Sequence, residues 1–187
     1  MKIDEFITNS DLVITKISET AAQPITRVEY RTTDEFYCEA KFCVLAKSEV
    51  ESDFDAFVKL WSYSIHSDEE WSPSETNLKN ARSIYMHHML AQLETYQFKM
   101  LTSRSVHAHI SIVEEIIDWI DANRTYDEVN RAGVYVDGES IESCTTLQDL
   151  NIFDVVSGIG FRLDWNWKEV MYQTPIAYIY FEWGTGC

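Results

Sequence analysis

The chain has 187 residues, 45% of them hydrophobic and 25% charged, which is the composition of a folded globular protein rather than a disordered one. Its 31 acidic and 15 basic residues give a formal net charge of -16, which argues against nucleic acid as a ligand because so negative a field repels a polyanion. No run of residues approaches the roughly 18 apolar residues of a membrane span, so no membrane partner is expected.

The first predicted element is a β-hairpin over residues 25–45. Two runs are separated by a turn at residues 32–35, and the second run has apolar residues at every other position: Phe36, Cys38, Ala40, Phe42 and Val44. Alternation with period two predicts a strand with one buried side.

Two helices are predicted next. Ser52 precedes apolar residues at helical spacing, and Asp53 and Asp55 follow it at the positive end of the helix dipole. A second helix, up to about residue 93, is predicted from Ser72 as N-cap and Pro73 at the first helical position. The hairpin and these helices make residues 1–93 a predicted N-terminal α+β domain.

The pattern is sharper after residue 95. Tyr96, Phe98 and Met100 alternate, and a return strand with the same alternation is predicted over residues 106–112. Residues 113–120 then have apolar residues at helical spacing, with Glu114, Glu115 and Asp118 mostly on the other face. A strand at residues 133–136 and a glycine turn complete the order strand, strand, helix, strand, turn.

This order and these residues resemble ubiquitin. The segment GVYVDGESIESCTTLQDLNI, residues 133–152, is similar to the family's third strand, glycine turn, short fourth strand and Thr-Leu-x-Asp-x-Asn-Ile helical turn. Residues 98–102 and 106–112 resemble the family's first hairpin, and residues 159–163 resemble its last strand. The resemblance implies an α+β protein with a ubiquitin-like β-grasp domain over residues 94–187. Residues 1–93 are then either a diverged second β-grasp or a hairpin with helices of another arrangement.

The β-grasp hypothesis predicts which residues form most of the core of this domain. They are Phe98, Val106, Ile110, Ile116, Ile117, Ile120, Val134, Val136, Leu147, Ile152 and Phe161.

The C-terminus departs from the family, whose chains end in Arg-Leu-Arg-Gly-Gly. This chain continues through a strand-like run over residues 176–183 and ends Gly184-Thr185-Gly186-Cys187. By resemblance these four residues form a conjugation tail, extended and exposed after a strand that ends at Trp183. Removal of Cys187 would let Gly186 carry the bond to a target. The alternative is a frayed terminus without function.

A partner-binding patch is also implied by the resemblance. Tyr135 stands where the family has the central isoleucine of its binding patch, and Leu101 is retained from the adjoining turn. The alternative is that the aromatic ring of Tyr135 only packs against the sheet.

Catalytic signatures are sparse in this sequence. His107 and His109 lie two apart on a predicted strand and could hold zinc, but a solvated sheet face is the preferred interpretation. Four cysteines without CxxC spacing predict reduced thiols, as expected of a cytoplasmic protein. We therefore expect no enzyme activity, no metal and no cofactor.

Two functions follow from the sequence. The first is a ubiquitin-like protein modifier, resembling the tandem ubiquitin-like proteins of bacterial antiphage operons. It would need an activating enzyme, a conjugating enzyme, a JAB-type protease and a target protein amine. The second is an acidic stoichiometric inhibitor, such as a toxin immunity protein or a phage antirestriction protein that mimics DNA. A domain that uses its fold only for packing is the third alternative.

Overall fold

The computed structural model describes residues 25–31, 38–66, 97–123, 133–137, 139–141 and 151–185. These residues form an α+β protein, as predicted. In chain order the elements are β1 (Thr26–Arg31), β2 (Cys38–Ala46), α1 (Asp53–His66), β3 (Lys99–Thr102), α2 (Ser103–Ile110), α3 (Ile112–Asn123), β4 (Gly133–Val136), β5 (Glu139–Ile141), β6 (Ser157–Leu163), β7 (Trp167–Gln173) and β8 (Ala177–Thr185).

All the described strands belong to one antiparallel sheet with the order β3-β6-β7-β8-β2-β1-β4-β5. The centre of the sheet is the pair β2 and β8, which runs in register from Cys38 opposite Thr185 to Ala46 opposite Ala177. Strands β1 and β2 lie between β8 and β4, so strands from both predicted domains share the sheet. The predicted domain boundary at residue 93 is outside the described residues.

Helix α1 covers one face of the sheet, called the α1 face below. It begins as predicted, because the hydroxyl oxygen of Ser52 accepts a hydrogen bond from the backbone N–H of Asp55 at 3.1 Å. Its apolar stripe is buried against β2 and β8. The cluster on this face includes Leu45, Phe54, Phe57, Trp61, Phe161, Met171 and Tyr180.

Helices α2 and α3 cover the opposite face, called the α2/α3 face. Ala40, Phe42 and Val44 of β2 are buried there, as the alternation predicts. The other face of β2 is buried too, however, since Cys43 and Leu45 pack on the α1 face. The prediction of a single buried side was wrong because β2 is a central strand with helices on both sides.

The predicted return strand over residues 106–112 was also wrong, since this segment is helical: α2 covers Ser103–Ile110, and α3 begins at Ile112. Thr102 caps α2 by accepting a hydrogen bond from the backbone N–H of Ser105 at 3.2 Å. Val106 and Ile110, one helical turn apart, are buried. Strand β3 pairs with β6 instead of with a return strand.

Gly158 in β6 allows α2 to lie close to the sheet. A Cβ atom at this position would lie 2.7 Å from the Cγ2 atom of Val106 and 2.9 Å from the carbonyl oxygen of Met171. Only a residue without a side chain therefore fits between α2 and the sheet here.

The predicted core is largely confirmed, although its secondary structure is partly different. Seven of the predicted residues are buried: Val106, Ile110, Ile116, Ile120, Val134, Ile152 and Phe161. Phe98, Ile117 and Val136 are partly buried against the same clusters. The helix over residues 113–120 and the strands β4 and β6 are confirmed. Leu147 and the predicted helix from Ser72 lie outside the described residues.

Candidate functional site

The predicted conjugation tail is not a free stub at its first two residues. Strand β8 continues through Gly184 and Thr185, which pair with β2, and the N–H of Thr185 donates to the carbonyl oxygen of Asn166 at 3.1 Å. A Cβ atom on Gly184 would lie 2.8 Å from the ring of Trp167. The prediction that the strand ends at Trp183 was wrong because β2 extends far enough to pair with the next two residues. Gly186 and Cys187 lie outside the described residues.

The structure does not bring the two residues of the predicted patch together. Leu101 is buried in the cluster of the α2/α3 face. Tyr135 is half-buried in β4, where it is paired with Glu29 of β1, and its neighbour Val134 contributes to the α2/α3 cluster. Side chains alternate between faces along a strand, so Tyr135 lies on the α1 face. Five strands separate β3 from β4 in the sheet.

A row of charged residues crosses the α1 face beside the apolar cluster. Glu29, Lys41, Glu182 and Glu169 stand directly opposite one another on the successive strands β1, β2, β8 and β7. These four residues are called the charged row. Glu29, Lys41 and Glu169 are buried. The row was not predicted from the sequence, although Glu182 is the only charged residue of β8.

Hydrogen bonds and ion pairs hold the charged row in place. Glu182 accepts a hydrogen bond from the hydroxyl of Ser64, near the end of α1, at 2.9 Å, and the Nζ atom of Lys41 lies 3.8 Å from the same carboxylate. Arg27 forms an ion pair with Glu29. The row thus links the last turn of α1 to the centre of the sheet.

Glu169 is held by two donors. Its Oε1 atom accepts a hydrogen bond from the indole N–H of Trp167 at 3.0 Å, and its Oε2 atom accepts one from the hydroxyl of Tyr180 at 2.7 Å. Buried carboxylates that are bonded in this way stabilise a specific arrangement of strands. These contacts explain the buried charges of the row by a role in the fold, without a ligand or a reaction.

Cys43 lies next to the charged row on β2. Burial raises the pKa of its thiol to about 12, while the nearby charges of Lys41 and Arg27 act in the opposite direction. The sulfur therefore stays protonated at neutral pH and lacks the thiolate that nucleophilic catalysis requires.

The outer face of α3 carries three exposed carboxylates: Glu114, Glu115 and Asp118. They are called the acidic face of α3. The inner face of the helix is anchored in the core by Val113, Ile116 and Ile120. None of the ion pairs between described residues includes a member of the acidic face. The sequence predicted that these residues lie mostly on one face of a helix, but it did not identify that face as a binding site.

The two histidines lie on α2 and not on a strand. His107 is exposed, and His109 is half-buried. Burial lowers the pKa of His109, and the charges of Lys168 and Lys99 lower it further. Within the part of the chain that the structure describes, no group of three or more histidine, cysteine, aspartate or glutamate side chains could hold a metal ion.

None of the described helices combines the length and the apolar character needed to cross a membrane. Comparison of the chain with protein-family models, with curated proteins and with solved structures finds no match. Inferences about function therefore rest on the charges and contacts of the chain itself.

Proposed function

We propose that the chain is an acidic stoichiometric inhibitor that binds a basic partner protein through the acidic face of α3. The observation that carries this proposal is the set of exposed carboxylates Glu114, Glu115 and Asp118 on a helix anchored in the core. The net charge of -16 acts in the same direction, because a negative field steers a basic partner towards the protein.

Helix stability accounts for Glu114 and Glu115, which lie in the first turn of α3 where the helix dipole favours negative charge, but not for Asp118. Glu114 and Asp118 are four residues apart, and like charges at this spacing destabilise a helix by about 0.2 to 0.5 kcal/mol. A partner with clustered lysine or arginine side chains would relieve this repulsion. Partners of this class include proteins whose own site binds an anion, such as nucleases and other nucleic-acid-binding proteins.

A variant with neutral side chains on α3 tests the proposal. Glu114→Gln, Glu115→Gln and Asp118→Asn together remove three negative charges and keep the size of each side chain. The tagged wild type and this variant are used to isolate bound proteins from the native host, and the proteins are identified by mass spectrometry. Association with a purified basic partner is then measured at several salt concentrations. We expect the association rate to fall steeply with salt and the variant to associate more slowly.

The chain offers a matched control elsewhere on its surface. Glu49, Glu51 and Asp154 are exposed, and Glu49→Gln, Glu51→Gln and Asp154→Asn change the net charge by the same amount. If the control variant slows association as much as the α3 variant does, the acidic face is not the binding surface. Binding that does not respond to salt would contradict an electrostatic inhibitor altogether.

A ubiquitin-like modifier with a β-grasp domain is the second candidate. It is supported by the hairpin β4 and β5, which lies where the resemblance places the family's third and fourth strands, with Asp137 at φ 50° in the turn between them. Conjugation through Gly186 would require an activating enzyme to enclose the end of the chain. Gly184 and Thr185 would first have to separate from β2, which weighs against this candidate.

The two candidates differ in a covalent product. A modifier co-expressed with its activating enzyme, conjugating enzyme and JAB-type protease should lose Cys187 and leave a branched peptide that ends in Gly186 on a target amine. Mass spectrometry detects both changes. An inhibitor keeps Cys187 and forms a complex that denaturant dissociates.

A further inference from the structure

Strand β3 forms one edge of the sheet. The strand order begins with β3, and among the described residues it pairs only with β6. The backbone N–H of Gln97 extends this pairing by donating to the carbonyl oxygen of Phe161 at 3.0 Å. Residues 97–102 therefore form an edge long enough to pair with a further strand of about five residues. Alternate residues of such an edge direct their N–H and C=O groups away from the sheet.

The outer side of β3 is open to solvent. Gln97, Lys99, Met100 and Thr102 are exposed, and Met100 is one of the few large apolar side chains in the described ranges that are not at least half-buried. Leu101 alone anchors the strand in the core. An exposed edge of this kind is a template for pairing with another chain.

The two faces of β3 differ in chemistry. Leu101 belongs to the cluster of the α2/α3 face, and Lys99 lies on the same face because it is two residues away on the strand. Met100 lies on the α1 face, where the residue opposite it on β6, Ile159, belongs to the cluster of that face. The edge thus presents a positive charge on one face and an apolar side chain on the other.

The segment that contains β3 is free of acidic residues. Residues 95–113 include no aspartate or glutamate, in a chain with 31 acidic residues among 187. Helix α2 begins directly after β3 and packs against β3 and β6, and its residues Arg104 and His107 are exposed about one turn apart. Within the described ranges, no ion pair includes Lys99 or Arg104. Positive charge is therefore available beside this edge of an otherwise acidic protein.

We propose that β3 binds an extended acidic segment of a partner protein as an additional strand of the sheet. Main-chain hydrogen bonds to the outer edge of β3 supply affinity, and the side chains of the bound segment alternate between the two faces. Acidic residues at every other position lie beside Lys99 and Arg104, and the apolar residues between them lie beside Met100. The preferred partner sequence is thus an alternation of acidic and apolar residues.

The net charge of -16 does not prevent an acidic segment from binding here. At physiological ionic strength, exposed charges more than about 8 Å apart are largely screened from one another. The basic residues beside β3 therefore dominate the field that a segment on this edge experiences. The site is separate from the acidic face of α3 and does not depend on the proposed inhibitor function.

A synthetic heptapeptide of alternating glutamate and valine, blocked at both ends, is the probe. It is titrated into the intact protein at physiological ionic strength, and the backbone amide signals and their hydrogen exchange are followed by NMR. We expect saturable binding that slows exchange in residues 97–102 and leaves β5 unchanged. A peptide of the same composition with its glutamates and valines in separate blocks should bind about tenfold more weakly. An alternating peptide of lysine and valine should not bind.

N-methylation of the probe distinguishes strand addition from a purely electrostatic contact. A strand at a sheet edge directs only alternate N–H groups to its neighbour. One peptide therefore carries methyl groups on its glutamate nitrogens, and a second carries them on its valine nitrogens. Only one of these two peptides should lose binding. Equal effects of the two methylation patterns would contradict pairing with β3.

Variants of the edge test which side chains recognise the peptide. Lys99→Gln and Arg104→Gln should each weaken binding about two- to fivefold, as expected for an exposed ion pair. Met100→Ser should also weaken it, because the valines lose an apolar contact. The fold should tolerate all three changes, since these side chains are exposed.

Lys47 and Ile176 provide matched controls for Lys99 and Met100. The backbone N–H of Lys47 donates to the carbonyl oxygen of Ile176 at 2.9 Å, so both lie at the turn between β7 and β8, and β6 separates this turn from β3. Ile176 is 55% exposed and Met100 is 48% exposed. Lys47→Gln and Ile176→Ser should leave peptide binding unchanged.

Three results would overturn the proposal. Equal weakening by the control variants would show that the peptide does not bind at β3. A peptide that does not bind saturably would show that Lys99 only protects the edge from pairing. Self-association in sedimentation experiments that Met100→Ser abolishes, without peptide binding, would show that a second copy of the chain occupies the edge.

Discussion

Two neighbouring rows of the sheet show how differently its faces are built. On the α2/α3 face, Val28, Phe42, Phe181 and Val170 stand opposite one another on β1, β2, β8 and β7, and all four are fully buried. The charged row lies one residue away on the α1 face: its member follows the apolar residue in β1 and β8 and precedes it in β2 and β7. The same four strands therefore carry an apolar row and a charged row one residue apart.

The two rows make different contributions: the apolar row stabilises the fold, and the charged row fixes the register of the strands. Burial of the apolar row stabilises the fold through the hydrophobic effect, and Phe42 and Phe181 add a close ring contact at 4.9 Å. A slip of one residue would move the charged row into the apolar core, where its charges would lose their partners. We infer that the charged row fixes the register of the central strands at a cost in desolvation.

The largest effect is expected from the apolar row. Phe42→Ala should lower the free energy of unfolding by about 3 to 5 kcal/mol, because it removes a buried ring and leaves a cavity beside Tyr30 and Phe181. Urea denaturation measures the change. Phe153→Ala is the control, since this ring is 38% exposed. Similar losses for the two variants would show that the apolar row is not the centre of the core.

The charged row should respond to single and double changes in opposite ways. Lys41→Met leaves the carboxylate of Glu182 without the ammonium at 3.8 Å and should cost about 2 to 4 kcal/mol. Adding Glu182→Gln removes the carboxylate charge that Lys41 faced and keeps an acceptor for Ser64, so the double variant should regain most of this loss. Denaturation of the wild type, both single variants and the double variant gives the coupling energy. Additive losses would contradict the interpretation of the row as a coupled unit.

Local sequence signals predicted one layer of the protein better than the other. The start of α1 after Ser52 and the apolar stripe of the helix were both confirmed, because an amphipathic helix is encoded within about 14 residues. The sequence around Val106 and Ile110 fits both regular structures. These two residues are four apart, as on one face of a helix, and Ala108 between them continues the alternation of a strand. The exposed side chain of Ala108 and the cap at Thr102 show that the helical period was the correct one.

The sheet order and the site could not be read from the sequence in the same way. The charged row depends on pairing between strands far apart in the chain, such as Lys41 with Glu182. The contact of Gly184 with Trp167 likewise depends on the order of β7 and β8. Alternation along a strand shows which of its residues share a face, but it does not show which other strands pair with it. The acidic face of α3 needed only helical spacing, so its geometry was predictable.

A smaller loss of stability is expected from replacing glycines of β6 on the α2/α3 face, and it should differ between Gly158 and Gly160. Gly158→Ala places a methyl group against Val106 and the backbone of Met171, and should cost about 1 to 3 kcal/mol through overpacking. The atoms nearest to a Cβ atom at Gly160 all belong to the side chain of Leu163, which can move, so Gly160→Ala should cost less. Thermal unfolding compares the two variants. Equal losses would show that α2 does not rest on the sheet at Gly158.

The smallest expected effect is the change in stability with pH that His109 causes on the α2/α3 face. His109 lies at the edge of the α2/α3 face, and burial together with Lys168 and Lys99 holds its pKa below the ordinary value of 6.5. The unfolded chain therefore binds a proton at this residue more readily than the folded protein does. Stability from this source is complete above about pH 6.5 and is lost as the pH falls towards the lower folded-state pKa.

Carboxylates with ordinary pKa values titrate below about pH 5, so denaturation at pH 7.5 and 5.5 isolates the histidines. His109→Gln should lose less stability than the wild type between these two pH values, and His107→Gln controls for removing an imidazole from α2. A variant that loses as much stability as the wild type would show that His109 titrates alike in the folded and unfolded chain.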